Sequence, residues 1–172
     1  MDTQETQETQ ETMMDWQAMG AALRAPFPPE SVEWRPQGKT GAHKRVQLLP
    51  YVDARDVQDR LDAVCGAGGW AFALTPLSVE GGELRVALGT LTVYGVSKSD
   101  VGTASQWEAS KGCASDALKR AAVQFGIARY LYALPPVWVE LDGEGQIGEA
   151  TLAKLRAGLA RRAGAAQLTI VS

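Results

Sequence analysis

Basic side chains are the chemistry this chain can offer. Lys119 and Arg120 stand side by side, Lys111 lies shortly upstream, and Arg35, Lys39, Lys44 and Arg45 form a second cluster. Such patches capture phosphates: a cation laid against a phosphate releases condensed counterions, and the effect is local, so it does not require a basic chain. The other reading of Lys119 and Arg120 is a solvated helix face, with Asp116 pairing to Arg120 one turn away. Other chemistries have little to build on. His43 is the only histidine, which leaves a zinc site or a His-dependent nucleophile without its usual parts. Cys65 and Cys113 make neither a disulfide framework nor a metal set, and read as small buried hydrophobes. The sequence carries no nucleotide-binding loop, paired-carboxylate motif or Gly-x-Ser-x-Gly elbow. Gly66-Ala67-Gly68-Gly69 follows a helical stretch and precedes an extended one, the reverse of a phosphate cradle at a helix N-terminus. The expectation is a binding protein rather than an enzyme, with no cofactor, no metal and no small-molecule substrate.

The distribution of charge matters more than its sum. The net charge is −3, but Asp2, Glu5, Glu8 and Glu11 lie in the first dozen residues, which hold no base; without those four the remainder carries +1. Residues 3–12 are a polar repeat, TQETQETQET, with no apolar face to repay ordering, so residues 1–12 are expected to be a disordered acidic tail. Met13 and Met14 follow it, and either offers an alternative start. With 172 residues, 45% hydrophobic and 22% charged, the chain suits one domain with its own core. No apolar run reaches membrane-span length and no signal peptide opens the chain, so the expectation is a soluble, cytoplasmic protein with no membrane partner.

The elements that must position the basic residues follow from periodicity. Lys111 to Tyr132 reads as a helix: Leu118, Ala121, Ala122 and Phe125 form one apolar stripe. Ser115 or Asp116 could cap its start, and Gly126 marks a close approach or a loosened last turn. Lys119 and Arg120 fall off the stripe. Upstream, Asp15 can cap a short helix bearing Trp16, Met19 and Leu23, which Pro26, Pro28 and Pro29 end. Arg35 to Arg45 reads as a loop or hairpin tip. Val46 to Val52 reads as the first strand, with Pro50 suggesting an edge or bulge. Ala54 to Val64 is helical, with Val57, Leu61 and Val64 in phase. Trp70 to Leu74 alternates as a strand, and Glu80-Gly81-Gly82-Glu83 reads as a hairpin turn. Leu84 to Val96 reads as one long strand that changes phase at Gly89, predicting a bulge or bend there. Lys98 to Ser105 reads as a polar turn, Val137 to Leu141 as a short extended run, and Glu149 to Arg162 as a last helix with Leu152, Leu155 and Leu159 inward. Several antiparallel strands followed by a helix packed on their concave face make an α+β domain.

The run DALKRAAVQFG resembles the central helix of the Rad fifty-two family of single-strand annealing proteins. That family shows D-x-L-K-R-A-x-x-x-F-G, matched here by Asp116, Leu118, Lys119, Arg120, Ala121, Phe125 and Gly126. RVQLLPYVDARDVQDRLDAVCGAGGWAFAL resembles the family's strand, helix and "GWA" strand, and APFPPESVEWR its N-terminal entry. The likeness runs from about Leu23 to Pro135 and is nearest the shorter bacterial branch of DNA-damage-response proteins. It implies single-stranded DNA as the partner, with 3′ ends as a candidate target, end protection and strand annealing without nucleotide hydrolysis, and a nucleoid-associated location. It also implies a homo-oligomeric ring whose neighbouring sheets continue around it, with DNA in a basic outer groove. On this reading residues 13–145 are the DNA-binding domain and 146–172 a C-terminal helix and tail, with no long recombinase-recruiting extension. By position, Lys119 and Arg120 fall where groove-lining bases sit, Arg35 matches a loop arginine of that groove, and Tyr51 a tyrosine near its floor, though a sheet aromatic is an equal reading of Tyr51. Spacing adds Lys39, Lys44, Arg45 and Lys111 as phosphate contacts. Val123 stands where the family commonly has another arginine, which implies a less charged groove. The rival reading is an assembly module without DNA, docking through the basic face of the last helix and the Pro135–Val139 run.

Overall fold

The computed structural model describes residues 15–37, 45–105 and 108–169. The acidic repeat, His43, Lys39 and Lys44 lie outside them. In order, the elements are α1 (Trp16–Arg24), a 3-10 turn (Pro29–Ser31), β1 (Glu33–Gln37), β2 (Arg45–Tyr51), α2 (Ala54–Cys65), β3 (Trp70–Glu80), β4 (Glu83–Val93), β5 (Val96–Thr103), α3 (Ala109–Gln124), a second 3-10 turn (Arg129–Ala133), β6 (Val137–Glu140) and α4 (Glu149–Thr169). The strands form two antiparallel three-stranded sheets, β1-β2-β6 and β3-β4-β5. This is the expected mixture of antiparallel strands and a packed helix, divided over two sheets.

α3 lies against β4 and β5 because small residues meet there. Ala87, Gly89, Leu91 and Val93 are the buried side of β4, and Cys113, Ala117 and Ala121 are the buried side of α3. Gly89 therefore does not break β4, as its change of phase suggested. The pairing runs unshifted through Gly89 on both sides, and the irregularities fall between Pro76 and Val79 of β3. Gly89 is a glycine because a β-carbon there would sit 2.8 Å from that of Ala117. Gly102 on β5 is tighter still: its β-carbon would lie 2.4 Å from the Ala117 amide nitrogen and 2.6 Å from the Cys113 carbonyl. Two glycines on adjacent strands thus form the seat of the helix.

The segment taken for a polar turn is β5. A Tyr94-Gly95 turn with φ of 44° and 79° separates it from β4, a two-residue hairpin of the kind that needs positive φ. β5 reads as polar because its outer face is a Ser/Thr ladder: Thr90 bonds Ser99 at 2.9 Å and Thr92 bonds Ser97 at 2.8 Å. A tyrosine in the turn and serines in the strand hid both from periodicity. With β5 in place, β4 is an interior strand paired on both sides, and β3 and β5 are the edges. β1 was also missed, since Arg35 lies in a strand rather than a loop. Pro50 sits in the middle strand of its sheet, but beyond Leu48, where pairing with β6 stops. Its missing N–H therefore costs no ladder bond on that side.

The helix ends also differ from expectation. α3 starts at Ala109 and takes no cap from Ser115 or Asp116; before it, the Ser105 hydroxyl accepts from the Glu108 amide at 3.1 Å. It stops at Gln124 rather than running to Tyr132, because Gly126 has φ 98° and Ala128 φ 56°, values outside the right-handed helix. A side chain on Gly126 would also strike Arg24. The exposed C-terminal carbonyls are met by cations, as the helix dipole favours. Arg129 donates to Val123 O at 2.6 Å and Gln124 O at 2.7 Å, and Lys98 donates to Gln124 O at 2.9 Å.

The α1 cap and the Gly81-Gly82 turn follow the expected pattern, while β3 runs on to Glu80 and the last helix to Thr169. Asp15 accepts from Gln17 and Ala18 amides at 2.9 Å, and Gly81 and Gly82 take positive φ in their turn. The main core joins Leu23, Phe27, Val57, Leu61, Leu91, Leu118, Phe125, Ile127 and Leu159. Cys65 and Cys113 are free and buried. Among the described residues no helix is long and apolar enough to cross a membrane, and no cluster of three metal-ligating side chains occurs.

Candidate nucleic-acid interface

Between the first sheet and the outer side of α3 runs a groove of about 500 Å³. Its walls include Arg35 and Tyr51 from the sheet, Lys119, Arg120 and Val123 from α3, and Tyr132 past the helix. Four of the eight expected site residues are thus brought together, from elements 84 positions apart between Arg35 and Lys119.

The four are held differently. Tyr51 and Arg35 share one face of the sheet, because Tyr51 pairs with Glu33 and Leu49 with Arg35. The Lys119 ammonium stands 5.3 Å from the centre of the Tyr51 ring and the Arg35 guanidinium 5.9 Å from it. Both distances are within the reach of a cation–π contact. Partial burial, and after it a hydrogen bond donated to Glu33, push the Tyr51 phenol up to about 12. At neutral pH it is a neutral donor and adds no charge that would repel phosphate. Among the described residues, neither Lys119 nor Arg35 is in an ion pair.

Arg120, also in the groove wall, reaches across to β5. It does not pair with Asp116, whose carboxylate instead accepts from the Thr103 amide at 3.0 Å. Its partner is Asp100, at 3.0 Å. Burial alone would raise the Asp100 carboxyl, but hydrogen bonds from the Val101 amide and from Arg120 outweigh it and hold the carboxyl below the usual range. The same hydrogen bond raises Arg120. The pair is half open to solvent, so Arg120 keeps its charge but shares its field.

The sign of that shift makes a prediction. Because the folded Asp100 carboxyl titrates below its ordinary value, its contribution to stability is complete above the ordinary carboxylate range. It is lost as pH falls through the folded value. Asp100→Asn should therefore melt lower than wild type at pH 7, and the gap should narrow once pH falls below the ordinary carboxylate range. Equal gaps in thermal melts above and below that range would contradict this.

Two further expected residues, Arg45 and Lys111, are not in the groove wall. Arg45, at the far end of β2, donates to Trp138 O at 3.4 Å. Lys111 is exposed, paired with Glu108 at 3.0 Å, and about 12 Å along the helix from Lys119 at 1.5 Å per residue. Lys39 and Lys44 belong to the β1–β2 connection outside the described residues. Val123 does line the groove, as its place in the motif implied. Three polar wall residues were not expected: Gln47, Asp116 and Tyr132. Tyr132 is exposed, and its signal was the aromatic Tyr130-Leu131-Tyr132 run just past the helix.

Residues 15–146 match the family model described as Rad52/22 family double-strand break repair protein. Over 122 residues the chain is 49% identical to the single-stranded DNA-binding protein DdrA of Deinococcus radiodurans, which covers 70% of this chain and 57% of that protein. Over 119 residues it is 50% identical to the single-stranded DNA-binding protein DdrA of Deinococcus deserti, covering 68% of this chain and 58% of that one. The chain therefore spans a little over half the length of these curated relatives. With the family model extending across both sheets, α3 and the groove, the chain belongs to the Rad52/22 family of double-strand break repair proteins.

Proposed function

We propose that this protein binds single-stranded DNA in repair, lays the phosphates along the groove between β2 and α3, and so protects DNA ends and brings strands together for annealing. The observation that carries the reading is the pair of cations, Lys119 and Arg35, flanking the neutral Tyr51 ring without a carboxylate partner among the described residues. Cations placed this way neutralise backbone, while a strand held only by its backbone leaves its bases free to pair. The names of the Deinococcus relatives support the same polymer. Binding and positioning need no nucleotide hydrolysis. The Arg120–Asp100 pair and Val123 make this groove less basic than a fully charged one, so binding is expected to exceed annealing in strength. Anisotropy titration with single-stranded oligonucleotides tests the reading; absence of binding at low salt would refute it.

A ring of subunits belongs to the same proposal. β3 is an edge strand, and Trp70 to Thr75 carries neither charge nor proline along it. Such an edge exposes unpaired backbone groups that a neighbouring chain could satisfy. The edge is blunted only beyond, where Pro76 and the irregular pairing lie. Mass photometry at micromolar protein should show one species of several subunits. A monomer-sized species with undiminished DNA affinity would refute the ring.

A further inference from the structure

We infer that Trp138 is a base-stacking subsite at the far end of the groove sheet, taking one unpaired nucleobase of a strand whose phosphates lie at Lys119 and Arg35. This rests on the single-stranded DNA reading above and adds to it a contact with a base.

The placement comes from register. In β6, Val137 and Val139 turn inward and are partly covered, while Trp138 turns out and is 54% exposed. Trp138 pairs with Gln47 and Glu140 with Arg45. Antiparallel partners share a face, and residues two apart along a strand do too. Trp138, Gln47, Leu49, Tyr51 and Arg35 therefore occupy one face of the sheet, with Tyr51 at one end and Trp138 at the other. The four steps from Gln47 to Tyr51 span about 13 Å at the rise of a strand, so a chain anchored by phosphate beside Tyr51 runs along the sheet before reaching the indole.

The site suits a base better than another protein. An exposed indole is a large, flat surface, and any base presents a π-face to it, so the contact requires no particular sequence. Arg45, which reaches the Trp138 carbonyl at 3.4 Å, puts a cation beside the indole for the phosphate that follows. Glu140 opposes Arg45 and limits how many phosphates that end can hold. Exposed aromatics next to arginines on a sheet face with a phosphate-competent groove match a polyanion carrying rings. An apolar docking partner would leave Arg45, Gln47 and Arg35 to be desolvated.

The test uses two oligomers of equal length and charge, one of deoxythymidine and one in which every base is replaced by an abasic residue. Wild type should bind the thymidine oligomer more tightly. Trp138→Ala should weaken that binding about tenfold, leave the abasic oligomer unchanged and leave the salt slope unchanged. Trp138→Phe should stay within about twofold of wild type on both, and it answers the question if the alanine variant folds poorly. Equal losses on both oligomers, or no loss on thymidine, would overturn the subsite alone. Wild type binding thymidine and abasic oligomers equally would also overturn it. Failure of wild type to bind either would overturn the subsite together with the single-stranded DNA reading.

Discussion

Lys119→Ala should lower affinity for single-stranded DNA about tenfold, or roughly 1.4 kcal/mol, close to the lower limit for a hydrogen bond to a charged group. The side chain lies on the groove wall over Tyr51 and outside the core, so its truncation opens no cavity and the melting temperature should hold. One lost phosphate contact should also flatten the plot of log affinity against log salt by about 0.7 for a single strand. Arg35→Ala should act similarly, and the double variant should lose both contacts and both slope increments. Arg120→Ala should do less to binding, since Asp100 shares its charge, and more to stability. A folded Lys119→Ala, Arg35→Ala double variant with unchanged affinity would remove the groove from the account.

Gly102→Ala should destabilise the domain by about 3 kcal/mol, at the upper end of ordinary overpacking. The added carbon would meet backbone on the helix at Ala117 and Cys113, and neither atom can turn aside as a side-chain tip could. For a chain of this size that corresponds to a fall of about 6–12 °C in melting temperature. The consequence reaches the groove. α3 carries Lys119 on one side and seats on Gly89 and Gly102 with the other, so pushing it off β5 also shifts the ammonium relative to Tyr51. Differential scanning calorimetry of Gly102→Ala beside Gly81→Ala separates the causes. Gly81 has a positive φ of 59° but nothing within 4 Å of its β position, so it should cost only the milder strain of that backbone. Equal losses at the two positions would show that helix seating is not what Gly102 provides.

Much of this arrangement was legible in the residues. The stripe of Leu118, Ala121, Ala122 and Phe125 gave the buried face of α3, and the same spacing left Lys119 off it. Motif order gave the family. What the sequence hid were features set by partners rather than by period. β5 is a strand because β4 hydrogen-bonds it, while its own residues, serines, Lys98 and Asp100, read as a turn. Gly89 read as a bend because a missing side chain looks the same whether the backbone kinks or another helix leans on it. Arg120 could be placed on its helix, but its partner came from β5, a strand the periodicity did not register. Trp138 was legible only as part of the apolar Pro135–Val139 run; its exposure and the register with Gln47, which puts it on the face that bears Arg35 and Tyr51, come from the structure.

The most direct test of the account is a titration of single-stranded against duplex DNA at two salt concentrations, with wild type and the Lys119→Ala, Arg35→Ala variant. The account predicts that wild type prefers the single strand and that its affinity falls steeply as salt rises. It also predicts that the double variant loses affinity and about 1.4 of the slope on the single strand. Binding that does not change with salt, or a double variant indistinguishable from wild type, would contradict it.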